Sequence, residues 1–206
     1  VYTLAAAACG PGGEKVVEGG GPRGYQAPTL NEDGPTMSIQ VDKSRIVARA
    51  IRAVGEWTPE GEGDPAMARA FGRAVVERIR GSFLSQQSSR RVLAALEVAW
   101  TQVRRPMPDE GSVSAVVVAE PGRRAWVVTH MGDQPFIVDT VRLFLRRSKA
   151  EVLAGFNVVV PVRRDASGAL VGVGEGSAES VVVQEVELGG LDLERGAESL
   201  RHHLEL

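Results

Sequence analysis

The chain predicts an α+β fold in which a layer of helices precedes an antiparallel sheet. Three observations carry that prediction. From residue 42 to about 103, apolar residues recur at helical spacing, as in Ile46, Val47, Ile51 and Val54. After Pro108 the period becomes two, or gives way to continuous apolar runs such as 113–119 and 156–163. Between those runs, residues 124–147 read as a strand, a tight turn and a helix, the unit around which the rest is organised.

Composition narrows the function classes. With 206 residues the chain is long enough for one domain with a real core, or one domain plus an appendage. A formal net charge of −2 supplies no basic field for nucleic acid or an anionic membrane. Aromatic residues are only 5%, too few for a base-stacking surface. The single cysteine, Cys9, excludes an internal disulfide and a multi-cysteine metal site. No apolar run is long enough to span a bilayer. The small residues before Cys9 faintly resemble a lipoprotein processing site, but the basic region and long apolar core such a signal needs do not accompany them, which weighs against that reading. Residues 1 to about 36 are rich in glycine and lack hydrophobic periodicity, which predicts a disordered leader. Met37 is the first methionine and a candidate start.

The elements follow in order. A first helix covers 42–57. Asp64 and Pro65 open a second in the order cap then proline, with Met67, Phe71, Val75 and Ile79 inward and Gly81 at its end. Ser88 or Ser89 caps a third, with Val92, Leu93, Leu96, Trp100 and Val103 inward. Strands are expected at 113–119 and 125–129, joined as a hairpin through Pro121 and Gly122. Asp133 is placed to cap the central helix, whose first turn holds Pro135 and whose stripe is Ile137, Val141 and Phe144. Residues 156–163 form a strand in which Pro161 marks an edge or a bulge. A turn at 165–168, a short strand at 169–173 and a last strand at 179–188 follow. Asp192 then caps a final helix carrying Leu193, Leu200 and Leu204. This order fits a split β-α-β sheet of ferredoxin-like type with helices on one face. The fourth strand that would follow the last helix is absent, which predicts a domain cut short at its C-terminus.

The sequence carries few of the residue patterns that catalysis requires. His130 ends a strand and reads as half-exposed with one hydrogen bond. His202 and His203 are adjacent on a helix, so they cannot form the i, i+4 pair a metal would want. Gly172, Gly174 and Gly176 lead into a strand, whereas a dinucleotide fingerprint requires a helix N-terminus. No serine elbow occurs. Asp133 and Asp139 read as a cap and an exposed helix carboxylate.

Residues 133–141, DQPFIVDTV, resemble the D-x-P-F-L-V-D-S-V motif of the large bacterial NAD-specific glutamate dehydrogenases. In that family the motif lies in the N-terminal, ACT-like regulatory region. The helix bearing Trp100 before Arg105 and Pro106, the run 161–168 (PVRRDASG) and Glu179 to Val181 are similar to the family's neighbouring segments. This chain has Gly132 where the family has a second acidic residue, and Phe136 where general ACT domains hold glycine. The order and spacing match across about residues 66–206. With the composition and periodicity above, the chain is expected to divide into a disordered leader at 1–40, a helical segment at 41–108 and an ACT-like α+β domain at 109–206, truncated at its C-terminus. It implies a cytoplasmic, non-catalytic regulatory or assembly module of an NAD-specific glutamate dehydrogenase. Its partners would be itself or other parts of that enzyme, and an amino acid its effector, with no nucleic acid and no membrane. The implied ligand contacts are Asp133, Gln134, Pro135 and Phe136. No cofactor is implied for this chain, since NAD belongs to the family's catalytic domain. Two alternatives stay open from the sequence: the front of a complete dehydrogenase, or a purely structural partner-binding module.

Overall fold

The computed structural model describes residues 36–205 except Glu62, Pro108, Glu110 and Glu194, with side chains from Asp42 onward. The expected leader lies outside the described residues up to position 35, and so does Cys9. Eleven elements follow one another: α1 (Thr36–Glu56), α2 (Pro65–Arg78), α3 (Gly81–Gln86), α4 (Ser89–Val103), β1 (Val113–Ala119), β2 (Arg124–Gly132), α5 (Ile137–Arg147), β3 (Glu151–Arg164), β4 (Leu170–Val173), β5 (Ser177–Glu187) and α6 (Arg195–Leu204). The strands form one antiparallel sheet in the order β1-β2-β5-β3-β4.

Local chemistry explains most of the helix boundaries. Asp64 accepts a hydrogen bond from the Ala66 N–H and Pro65 takes the first helical position, where a missing donor costs little. Ser88 caps α4 by accepting from the Arg91 N–H. Asp192 accepts from the Arg195 N–H at the start of α6. Gly81 opens the short α3, where the sequence marks only the end of α2.

The sheet has helices on both faces because its strands alternate between two cores. Trp126, Val128, Phe156, Val158, Val160, Val162, Val181 and Val183 pack with α1–α4 around Phe71, Leu84, Leu96 and Trp100. Ala125, Val127, Met131, Val182 and Val186 pack with α5 and α6 around Ile137, Val141, Leu145 and Leu200. The two helices that belong to the β-α-β pattern thus share one face, and the N-terminal helices cover the other. β2 and β5 are buried on both sides, and the centre of each is a short apolar run, 125–128 and 181–183. Beside β2, the position that a strand following α6 would take is filled by β1, which pairs with β2 from Val113↔Met131 to Ala119↔Ala125.

Pro161 sits inside β3 without breaking it. Its carbonyl accepts from the Gly174 N–H, so its nitrogen points to the same side, just short of the ladder to β4 that starts at Val162. No strand donor is lost toward β5. Gly155 is required for a different reason: a Cβ there would run into the Val183 carbonyl and the Gln184 side chain that lies over it.

α4 is tied to the sheet at its N-terminal end by charge. Arg91 donates to both oxygens of Glu120 at 2.9 and 2.6 Å and reaches Glu185 on β5 at 2.5 Å. Its guanidinium lies 4.4 Å from the ring centroid of Trp126, whose indole N–H donates to Glu120 at 2.7 Å. Hydrogen bonding to Glu120, with Glu185 beside it, raises the Arg91 pKa against the opposing effect of burial. The same bond from Arg91 holds the Glu120 carboxyl below its ordinary value. Removing Arg91 leaves Glu120 without its bonded cation and Glu185 with only the more exposed Arg124, at 3.3 Å. Arg91→Ala is therefore expected to cost about 2–4 kcal/mol, with Arg91→Lys intermediate because it loses the two-pronged geometry; urea denaturation of the two variants checks this.

Candidate functional site

The other end of α4 meets a second polar group, built across the sheet. Arg164 ends β3, Glu179 begins β5 and His130 lies near the end of β2. Their positions place all three side chains on the face that carries α4. Arg164 donates to both oxygens of Glu179 at 2.6 and 2.9 Å, and to the carbonyls of Val103 (2.9 Å), Arg105 (2.9 Å) and Gly168 (2.9 Å). One guanidinium thus closes the end of α4, holds the β3–β4 turn and neutralises Glu179. All its donor positions are engaged. Next in the row, Ser114 on β1 donates to the buried Gln102 of α4 at 2.8 Å.

Glu179 is 5% exposed and shares its second oxygen with His130 Nε2 at 2.5 Å. Burial pushes its pKa up, but hydrogen bonds from Arg164 and His130, with their charge, outweigh that and hold the carboxyl at about 2. His130 is fully buried, so the expected half-exposed strand end is not what forms. The reason is β1, which covers the strand through the Ser114↔His130 pairing while β5 covers its other side. Its Nδ1 has no partner among the described residues, and neither does the hydroxyl of Thr129.

In front of Arg164 and Glu179 opens a cleft of about 570 Å³. Its walls are the end of β2 and the following turn (Met131 to Gln134), the start of β5 (Ser177, Ala178), the α4–β1 connection (Met107, Asp109, Gly111) and the end of α6 (Leu204, Glu205). Asp109, Asp133, Glu179 and Glu205 make the lining acidic, and Arg164 is its one base among the described residues.

The structure brings two of the four sequence candidates, Asp133 and Gln134, to this cleft; Pro135 and Phe136 are exposed beyond its lining. Asp133 does not cap α5. Its backbone N–H donates to the Ala178 carbonyl at 3.0 Å, which extends the β2–β5 pairing past Gly132 and draws the residue into the sheet. Proline at 135 disfavours a helical Gln134, so the helix cannot begin before it. α5 opens at Ile137, and Phe136 takes the cap position in the left-handed region, at φ 69° and ψ 2°, with no side-chain cap. That conformation gives a second reason for glycine at this place in general ACT domains. The phenyl ring gains little in exchange, since Phe136 is 77% exposed.

Arg164 and Glu179 were not singled out as site residues by sequence, although both lie in segments that carry the family resemblance, 161–168 and 179–181. Their pairing is invisible there, because it depends on β3 and β5 being neighbours.

Among the described residues no group of three or more His, Cys, Asp or Glu is placed to hold a metal ion. His203 Nδ1 lies 2.6 Å from the Ser199 carbonyl of its own helix, and His202 makes only an edge contact with it. Gly172, Gly174 and Gly176 fall in β4 and the loop before β5, with no helix N-terminus following, so these residues do not fit a nucleotide. No helix among the described residues is long and apolar enough to cross a membrane.

A family described as "Glutamate dehydrogenase, ACT1 domain" matches residues 71–202. The chain belongs to this family. No curated protein and no solved structure gives a match. The ACT1 match begins at Phe71 in α2 and ends at His202 in α6, so it takes in α4 and both of its polar anchors as well as the whole sheet.

Two measurements follow from this geometry. Phe136→Asn should raise stability by about 0.5–1 kcal/mol, because asparagine tolerates the left-handed region and little burial is lost; a lower melting temperature would show that the ring packs against something. Glu179 has a folded-state pKa of about 2 against an ordinary 4.5. Its contribution is therefore complete above pH 4.5 and is lost as pH falls toward 2. Glu179→Gln should be less stable than the native chain at neutral pH by on the order of 3 kcal/mol, with the gap closing through that window. Chemical denaturation from pH 7 to pH 2 reads it.

Proposed function

We propose that this ACT1-family chain is a non-catalytic regulatory and assembly module of an NAD-specific glutamate dehydrogenase, acting in the cytoplasm in amino-acid catabolism. In this reading it associates with itself and with other parts of that enzyme, and it responds to an amino acid bound at the β2–α5 turn. The observation that carries the effector reading is the cleft, which opens where the D-x-P-F turn leaves the sheet. Its acidic lining suits an ammonium group. Arg164 is saturated within the chain, so an effector carboxylate falls to the Gln134 backbone N–H, where the turn meets the cleft. Binding there would favour one packing of the module over another to the extent that the two bind the effector differently.

A purely structural role is the second reading. It is favoured by that same saturation, since Arg164 and Glu179 already satisfy one another.

Thermal unfolding with each of the twenty amino acids separates the two. An effector present at about 100 times its Kd stabilises the folded state by about 2.7 kcal/mol, a rise of several degrees in Tm. Asp133→Asn should reduce that rise while leaving the ligand-free Tm nearly unchanged, because the Asp133 side chain is exposed. No rise with any of the twenty would sink the effector reading. The isolated chain is expected to show no NAD reduction with glutamate, and turnover by the purified chain would overturn the non-catalytic part.

A further inference from the structure

Phe136 adopts a conformation from which its own ring gains little within the chain. It stands in the left-handed region at φ 69°, where a Cβ is disfavoured, and it is 77% exposed. Its carbonyl accepts the Thr140 N–H at 2.9 Å, so the residue begins the first turn of α5. Strain held at an exposed apolar side chain points to a contact made outside the chain.

The outer face of α5 continues from it. Leu143 follows two helical turns later, about 10 Å along the axis, and is 45% exposed. Residues at that spacing share one stripe of a helix. Arg142 stands beside Leu143, with Arg146 and Arg147 one turn beyond, and all three are exposed. None of the three makes an ion pair among the described residues. Basic residues in a last turn complement the helix dipole, which accounts for Arg146 and Arg147 but not for Arg142 or the bare Leu143. The helix has one carboxylate, Asp139, in its first turn. Its outer face thus carries two apolar side chains, with negative charge beside the first and positive charge around the second.

We propose that the outer face of α5 docks an acidic amphipathic helix of another polypeptide, with apolar anchors over Phe136 and Leu143 and carboxylates over Arg142, Arg146 and Arg147. This gives a surface to the association with other parts of the enzyme and rests on that reading. Two anchors on one stripe, rimmed by charge, match a helix laid along a helix. The charge also sets the direction. The partner's acidic end lies over the last turns of α5, and its uncharged or basic end lies over Phe136, beside Asp133 and Asp139. A nucleic acid or an anionic bilayer fits less well. Either would spread from α5 across α6, which packs beside it and exposes Glu198 and Glu205. Arg201 of α6 is already paired with Glu205.

The probe is a short synthetic peptide, held helical by a side-chain staple, with leucines seven residues apart and glutamates around the second. Its binding to the full chain is read by fluorescence anisotropy, and the contact surface by amide chemical shifts. The comparison ligands are the same peptide with glutamine for glutamate, single-stranded DNA and phosphatidylglycerol vesicles. In the expected result the acidic peptide binds, more weakly as salt rises, and shifts the amides of α5 and Phe136. The glutamine peptide should bind about ten-fold more weakly. Phe136→Asn, Leu143→Ser and Arg146→Glu should each weaken the acidic peptide about ten-fold. Because Phe136→Asn stabilises the chain, its loss of binding is not a loss of fold. Absence of binding, shifts elsewhere, equal binding of the glutamine peptide, tighter binding of DNA or vesicles, or unchanged binding by the variants overturns the proposal. Light scattering on the same samples keeps the assembly reading separate. A chain that associates with itself but ignores the peptide overturns the docking face alone. A monomer that binds the peptide at α5 supports the docking face and overturns self-association.

Discussion

The attachment of α4 to the sheet is the constraint on which the rest of the structure depends. The helix lies against β1, β2 and β5, and its apolar face (Val92, Leu96, Ala99, Trp100, Val103) would by itself fix depth but not position along the strands. Directed bonds fix the position. Arg91 binds Glu120 and Glu185 at one end, and Arg164 grips the Val103 and Arg105 carbonyls at the other. Hydrophobic contact is non-directional, whereas each guanidinium fork accepts only a narrow geometry. A slip of α4 would part Arg91 from Glu120 and Glu185 at one end and the Val103 and Arg105 carbonyls from Arg164 at the other.

The two anchors differ in what lies beside them. The Arg91 group is roofed by Trp126, so its ion pairs gain from a partly desolvated setting. The Arg164 group forms the back of the acidic cleft and continues through Glu179 to His130 in the buried sheet. One carboxylate therefore connects the cleft to the end of α4 and to a fully buried imidazole. Arg164 divides its donors between Glu179 at the cleft and the carbonyls at the end of α4.

The turn between β2 and α5 shows a contest between two ways of using the same residues. Asp-x-Pro is a good helix opening by local preference, but the β2–β5 pairing holds Asp133 in extended backbone through its bond to Ala178, and the helix opens only at Ile137, after Phe136. What remains is a phenylalanine in the left-handed region, exposed and uncapped. The conformation costs about 1–2 kcal/mol for a residue with a Cβ, and the sheet pairing on one side and α5 on the other hold it there.

By itself the sequence determined the α+β class, the hairpin of β1 and β2, the caps at Asp64, Ser88 and Asp192, and the family resemblance of the 133–141 turn. These depend on periodicity and on neighbours within a few residues, and such information is local. Only the tertiary structure decided that β1 fills the place beside β2, that His130 is buried, that Asp133 belongs to the sheet, and that Arg164 meets Glu179. Each of those outcomes rests on strand order, which joins residues far apart in the chain and sets a ladder partner beside each backbone N–H, as the Ala178 carbonyl beside Asp133.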